Sequence, residues 1–176
     1  MDWDKLKLQT AKALENSLVE LFEEHPEESF YAIALYTDSS AMTVGFAANS
    51  LEALEKKINE EDEEDQEDCK DYYKWATSEW VYEGWGGRDF ESICKCLRDA
   101  DERRNFKEFK LKVISLMTEA LGYIGKSDVF ESAGKAKPVM FVSVTDDNSA
   151  EDFENSSAKI LNSSSVFDNF LSRYKS

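Results

Sequence analysis

The run Val139-Met140-Phe141-Val142-Ser143-Val144-Thr145 restricts the architecture of this chain more than any other segment. Mostly β-branched or aromatic, it lies between Lys137-Pro138 and the turn-forming Asp146-Asp147-Asn148, and predicts a strand. A strand needs partners. Residues 29–37 (Ser-Phe-Tyr-Ala-Ile-Ala-Leu-Tyr-Thr) form a second short run, apolar and aromatic-rich, and predict a buried strand. Asp38-Ser39-Ser40 supplies turn chemistry, and residues 42–48 return as a further strand, so the pair predicts a hairpin.

The remaining apolar residues recur at helical spacing. Leu8, Ala11, Leu14, Leu18 and Leu21, with Phe22 beside them, predict a first helix stopped by Pro26. Asn49 or Ser50 caps a helix with Leu51, Leu54 and Ile58 on one face. Residues 90–103 read as helix with Phe90, Ile93 and Leu97 in register. Phe106, Phe109, Val113, Met117, Ala120 and Leu121 mark another, Ser149 caps a helix through Leu161, and Phe167, Phe170, Leu171 and Tyr174 form a last stripe. The expected fold is α+β, a small, mainly antiparallel sheet of three or four strands covered by about six helices. At 176 residues the chain fits one domain, residues 1–176, with an acidic loop or helix end near residues 60–71.

That acidic stretch holds nine carboxylates in twelve residues, and three of the four tryptophans, Trp75, Trp80 and Trp85, follow it within eleven residues. Tyr and Trp offer wide contact area at low entropic cost, and fixed negative charge steers a basic partner. The aromatic stretch reads as a short helix or turn from Tyr72 to Gly84, and it can serve as core or as interface. Six exposed aromatics would aggregate, so some face inward. Trp75 and Trp80 are expected to be structural. Trp85, flanked by Gly84, Gly86 and Gly87, is expected to be exposed together with one of the tyrosines.

Formal net charge is −16, from 37 acids against 21 bases, which argues against nucleic acid and anionic membranes as partners. No apolar run reaches membrane-span length and the acidic start carries no secretory signal, so the expected place is the cytosol. Cys69, Cys94 and Cys96 lack framework spacing and are expected to be free thiols. The single histidine, His25, lies at a helix end beside Pro26, where a dipole contact is its ordinary role. Paired-histidine and Cys-x-x-Cys zinc motifs are absent from the sequence, and Gly84-Trp85-Gly86-Gly87 lacks the ending of a phosphate loop. Asp62, Asp65 and Glu67 lack calcium-loop periodicity and read as a solvated charged loop. No catalytic residue, metal or cofactor is expected. Glu79 and Glu83 are the exception to weigh: at i, i+4 they would share a helical face among tryptophans, where carboxylates can bind or cleave a sugar.

Four segments occur in one order: residues 30–38 ending in Tyr36-Thr37-Asp38, Ala47-Ala48-Asn49-Ser50, residues 73–83 with Lys74-Trp75 and Glu79-Trp80, and residues 140–147 ending in Asp146-Asp147. In this the chain resembles a bacterial single-domain family of about this length, carrying a Lys-Trp…Glu-Trp box and covering nearly the whole sequence. The resemblance implies a cytosolic protein encoded near secreted antibacterial toxins, and an immunity factor that binds and neutralises a cognate toxin domain, a basic one if the acidic charge is complementary. The expected partner-binding residues are Glu61, Asp62, Glu63, Glu64, Asp65, Tyr72, Tyr82, Glu83 and Trp85. Two alternatives stand beside this: an enzyme of carbohydrate or small-molecule chemistry centred on Glu79 and Glu83, and an intracellular regulatory domain that binds another protein.

Overall fold

The computed structural model describes residues 1–62 and 65–174 of the chain. Helix α1 (Trp3–Glu24) begins at Asp2, whose carboxylate accepts the Lys5 N–H at 3.0 Å, and ends at His25 before Pro26. Leu14, Leu18, Leu21 and Phe22 face inward. Leu8 does not join them: it sits at the margin of the stripe, where no other element covers it. Strands β1 (Phe30–Asp38) and β2 (Gly45–Ser50) form the expected hairpin, pairing Ile33 with Ala48 and Leu35 with Phe46.

The second strand starts later than residue 42. The Asp38 carboxylate accepts N–H bonds from Ser40 and Met42 and a 2.6 Å hydroxyl bond from Thr43, while Thr37 Oγ1 donates to the Thr43 carbonyl. These bonds spend the groups a strand would need, so residues 39–44 form a closed loop. Gly45 then opens β2 because the Tyr36 ring lies 2.5 Å from where a Cβ would stand.

Helix α2 (Leu51–Ile58) is capped by Ser50, whose Oγ accepts the Ala53 N–H at 3.0 Å. Ala53 and Leu54 are its buried residues, whereas Leu51, expected on that face, is exposed. Helix α3 (Gln66–Trp75) begins inside the acidic run and ends before the aromatic stretch is over. Its end is closed from the core, since the Lys74 carbonyl accepts both the Tyr31 hydroxyl at 2.7 Å and Trp80 Nε1 at 3.2 Å. A 3₁₀ turn (Thr77–Glu79) leads to β3 (Tyr82–Glu83), which pairs with Ala47 and Ala48 of β2. The helix or turn expected over residues 72–84 is therefore corrected to a helix end, a turn and a strand.

Helix α4 (Gly87–Arg98) stops earlier than residue 103; Arg103 instead belongs to a separate turn and donates to the Ser40 and Ala41 carbonyls. Helices α5 (Phe106–Ile124) and α6 (Val129–Ser132) precede β4 (Val139–Thr145), and α7 (Ala150–Leu161) and α8 (Ser164–Leu171) follow it. Among the described residues there are thus eight α-helices around a mixed sheet ordered β3-β2-β1-β4. Two of its three pairings are antiparallel; β4 joins β1 in parallel, which requires the long crossover that α2 to α6 provide.

The sheet is buried on both faces. Ile33, Leu35, Phe46, Met140 and Val142 pack into one core with α1, α4 and α5. Ala32, Ala34, Ala47 and Phe141 face a second core, filled by Trp75, Trp80 and Phe170. Trp80 meets Phe141 edge-on at 5.7 Å, and Trp75 meets Phe170 at 5.2 Å. Trp75 and Trp80 are structural, as expected, and Trp80 is 3% exposed. The outer edge of β4 is covered by α7: Asn162 Oδ1 accepts the Met140 N–H at 3.0 Å and Ser157 Oγ accepts the Val142 N–H at 2.9 Å. Beneath them Glu154 is buried with Arg173, which donates to it at 2.8 Å, and with the Ser143 hydroxyl, also at 2.8 Å. Cys94 and Cys96 are free thiols; Cys94 Sγ both accepts from Val44 N and donates to Val44 O, and Cys69 Sγ donates to the Gln66 carbonyl at 3.5 Å.

Trp80→Ala is expected to destabilise the fold by about 3–5 kcal/mol in denaturant melts, because it opens a cavity in the second core and removes one of the two donors to the Lys74 carbonyl. Burial pushes the Glu154 carboxyl above its ordinary range, and Ser143 and Arg173 pull it partly back. A raised carboxyl favours the fold while protonated and opposes it once ionised, so stability falls as pH rises through that raised value. Arg173→Met removes the compensating charge and is expected to cost about 3 kcal/mol at pH 7, with part recovered in melts at pH 5.

Candidate partner-binding surface

Helices α2 and α3 pack together beyond the edge of the sheet, joined by the acidic segment, and one lysine organises what they present. Lys57 Nζ donates to the Glu79 carboxylate at 2.7 Å and to the Glu79 carbonyl at 2.9 Å, and lies 4.7 Å over the Tyr73 ring. That ammonium holds the Glu79 carboxyl below the usual carboxylate range. Tyr72 donates to the other Glu79 oxygen at 3.3 Å. Tyr73 donates to the Glu61 carboxylate, and the bond pushes the Tyr73 phenol up to about 12. Gln66 Nε2 meets the Glu61 carbonyl at 3.2 Å, so the segment is tied to α3 at both ends of that residue.

The described members of the expected partner-binding set do not all lie together. Glu61, Asp62, Asp65 and Tyr72 share the α2–α3 side; Tyr72 is 51% exposed, its ring 5.6 Å from Tyr73. Glu63 and Glu64 lie outside the described residues. Glu83 is exposed on β3, beside the Tyr36 phenol, whose pKa is raised by burial first and by that carboxylate second. Glu79 and Glu83 therefore do not share a helical face: one is ion-paired to Lys57 in a turn, the other stands on a strand.

Tyr82, expected at the contact surface, is corrected to a core residue, 6% exposed. Strand alternation puts Glu83 outside and Tyr82 inside, where its ring packs on Phe30 at 5.5 Å. The Tyr82 hydroxyl donates to Glu28 at 2.6 Å and lies 3.2 Å from His25 Nδ1, and the Ser50 hydroxyl donates to the second Glu28 oxygen. Burial and then the Glu28 carboxylate push the Tyr82 phenol up. Trp85, expected to be exposed, is half-buried against the main core, edge-on to His25 and Tyr82 at 5.6 Å each. Its indole N–H is buried and, among the described residues, lacks an acceptor.

Sequence reasoning missed this His25–Glu28–Ser50–Tyr82 group. Its members come from the end of α1, the loop before β1, the cap of α2 and β3, so no local spacing announces them. His25 does sit at the end of α1, and its ring also belongs to this polar junction. Among the described residues, no group of three or more His, Cys, Asp or Glu side chains is placed to hold a metal ion, and no helix is long and apolar enough to cross a membrane.

Comparison with protein families matches residues 11–163 to a domain of unknown function, DUF4303. The chain belongs to this family. The matched span runs from within α1 past the end of α7, and so takes in all four strands, the α2–α3 side and every member of the His25 group. Searches of functionally described proteins and of solved structures find no match.

Trp85→Ala is expected to lower stability by about 1–2 kcal/mol, less than Trp80→Ala, because its ring closes only the margin of the core. Tyr72→Ala is expected to leave the melting temperature unchanged. Thermal melts of the two variants check both outcomes; an unaltered melt for Trp85→Ala would return that side chain to the surface role.

Proposed function

We propose that this DUF4303 chain is an intracellular bacterial immunity protein that binds and neutralises a cognate, basic toxin domain through the α2–α3 surface. The supporting observation is that Tyr72 and the carboxylates around it sit on a helix whose geometry is held from below. Trp75 buries the end of α3, Tyr31 and Trp80 both bond the Lys74 carbonyl, and Lys57 of α2 lies over the Tyr73 ring of α3. A preorganised aromatic–acidic face loses little entropy on binding and presents charge that raises the association rate toward a cation. The order of segments that resembles toxin-associated families agrees with this reading. A regulatory domain with a basic protein partner would use the same face, and the identity of the partner separates the two.

Co-purification with the product of the neighbouring gene tests the proposal, followed by binding kinetics. Changing Asp62, Glu63, Glu64 and Asp65 to Asn or Gln, while keeping Glu61 because it tethers Tyr73, is expected to slow association about tenfold at low salt and to flatten its salt dependence. Dissociation is expected to change less. Tyr72→Ala is expected to act the other way, speeding dissociation with little effect on association. An on-rate at low salt unmoved by the charge changes would leave the acidic segment as solubilising charge only.

A further inference from the structure

Among the described residues three buried side-chain atoms lack a hydrogen-bond partner, and two of them meet at one loop. These two are the Trp85 indole N–H and the Ser17 hydroxyl. The third, Arg173 Nε, belongs to a guanidinium whose other nitrogens are bonded. Ser17 is fully buried, and a Cβ built on Gly86 would stand 2.0 Å from its Oγ, so Ser17 lies directly beneath the residue that follows Trp85. Trp80 shows what is missing: it gives its indole N–H to the Lys74 carbonyl at 3.2 Å. Trp85 has the ring contacts of a core residue without that bond, with His25 and Tyr82 edge-on to it and the main core alongside. Ring packing draws this side chain inward, while burial of an unbonded N–H drives it out toward an acceptor. Opposed effects on one side chain leave two positions close in free energy.

The backbone on either side of Trp85 is suited to turning. Gly84 and Gly86 both have left-handed φ, 74° and 65°, and glycine leaves that region for others at little cost. Before them β3 is only two residues long, and after them α4 starts at Gly87 without a side-chain cap. The space around the loop is open. A Cβ on Gly84 would meet the Tyr36 hydroxyl at 3.7 Å, and one on Gly87 would meet nothing within 4 Å.

We infer that residues 84–87 form a hinged flap on which Trp85 passes between its inward position and an outward one, where its indole N–H is free to donate. Turning outward uncovers the Ser17 hydroxyl and the edges of the His25 and Tyr82 rings, so the flap also closes a small niche at the margin of the main core. A ligand that accepts the N–H favours the outward form in proportion to its preference for that form. The motion is confined to Trp85, because Trp75 and Trp80 are locked in the second core. The flap is separate from the α2–α3 face and does not depend on it.

The test uses the full chain with fluorotryptophan in place of its four tryptophans, the signal of Trp85 being the one lost in Trp85→Phe. Fluorine relaxation dispersion is expected to show microsecond-to-millisecond exchange at Trp85 with a minor form of about 1–10%, and none at Trp80. A Trp85 signal as static as that of Trp80 would overturn the inference. Benzothienylalanine in place of Trp85 keeps the bicyclic ring and puts sulfur where the N–H stood. It is expected to raise the melting temperature by about 3 °C, because burial then desolvates no donor. A lowered melting temperature would mean that a trapped water bonds the N–H in the inward position, and would overturn the inference as well. Gly84→Ala and Gly86→Ala put a side chain on the left-handed backbone of the inward form, and each is expected to enlarge the minor form several-fold and to open Trp85 to iodide quenching. Gly86→Ala also strikes Ser17, so if it does not fold, Gly84→Ala, which has room, decides. An unchanged minor form in Gly84→Ala would overturn the hinge.

Discussion

The contact on which the molecule depends is that of the indoles of Trp75 and Trp80 with a sheet face made of alanines. Ala32, Ala34 and Ala47 leave that face shallow, and only large rings fill the space above it. Phe141 and Phe170 complete the layer, the latter from the last helix, so residues 31 to 170 meet in one small volume. The opposite face carries the longer side chains Ile33, Leu35 and Phe46, which α1 and α5 cover in the usual manner. The dense aromatic stretch is thus mainly an internal device, and its surface share is reduced to Tyr72 and parts of Tyr73 and Trp85.

Long elements with strong period or strong β-composition were legible in the sequence. The strand at residues 139–145 and the first strand of the hairpin are where the apolar runs placed them, because burial on both sides leaves such runs one solution. A cap at Asn49 or Ser50 was legible from residue type, and Ser50 supplies it. What escaped was set by tertiary contact. Two-residue β3 has no period to read, and it exists because β2 offers it an edge. The start of α3 lies among carboxylates with no apolar stripe, and the helix is fixed at its far end by Trp75. Asp38 withdrew residues 39–44 from the second strand by bonding their backbone.

The same distinction applies to the candidate site. The acidic charge and the exposure of one of the tyrosines were readable from composition and from the impossibility of exposing every ring, but not which tyrosine it is. The pairing of Lys57 with Glu79 was not, since it joins residues from two elements across a turn. Nor was the burial of Tyr82, which follows from the alternation of a strand the sequence does not reveal. Polar residues close the junctions of this fold: Glu28 gathers three elements through Tyr82, Ser50 and its neighbour His25, and Lys135 bonds the carbonyls of His25, Pro26 and Glu28.

The cover over β4 has a consequence for how this molecule can recognise anything. Many domains capture extended peptides by offering an open strand, which the peptide lengthens into the sheet. Here Ser157 and Asn162 occupy the free bonding positions along one border, and the other border is the two residues of β3. A ligand chain would find the Met140 and Val142 positions of β4 already bonded. A partner of this scaffold would therefore meet side chains on helices, and shape and charge rather than backbone pairing would set the fit.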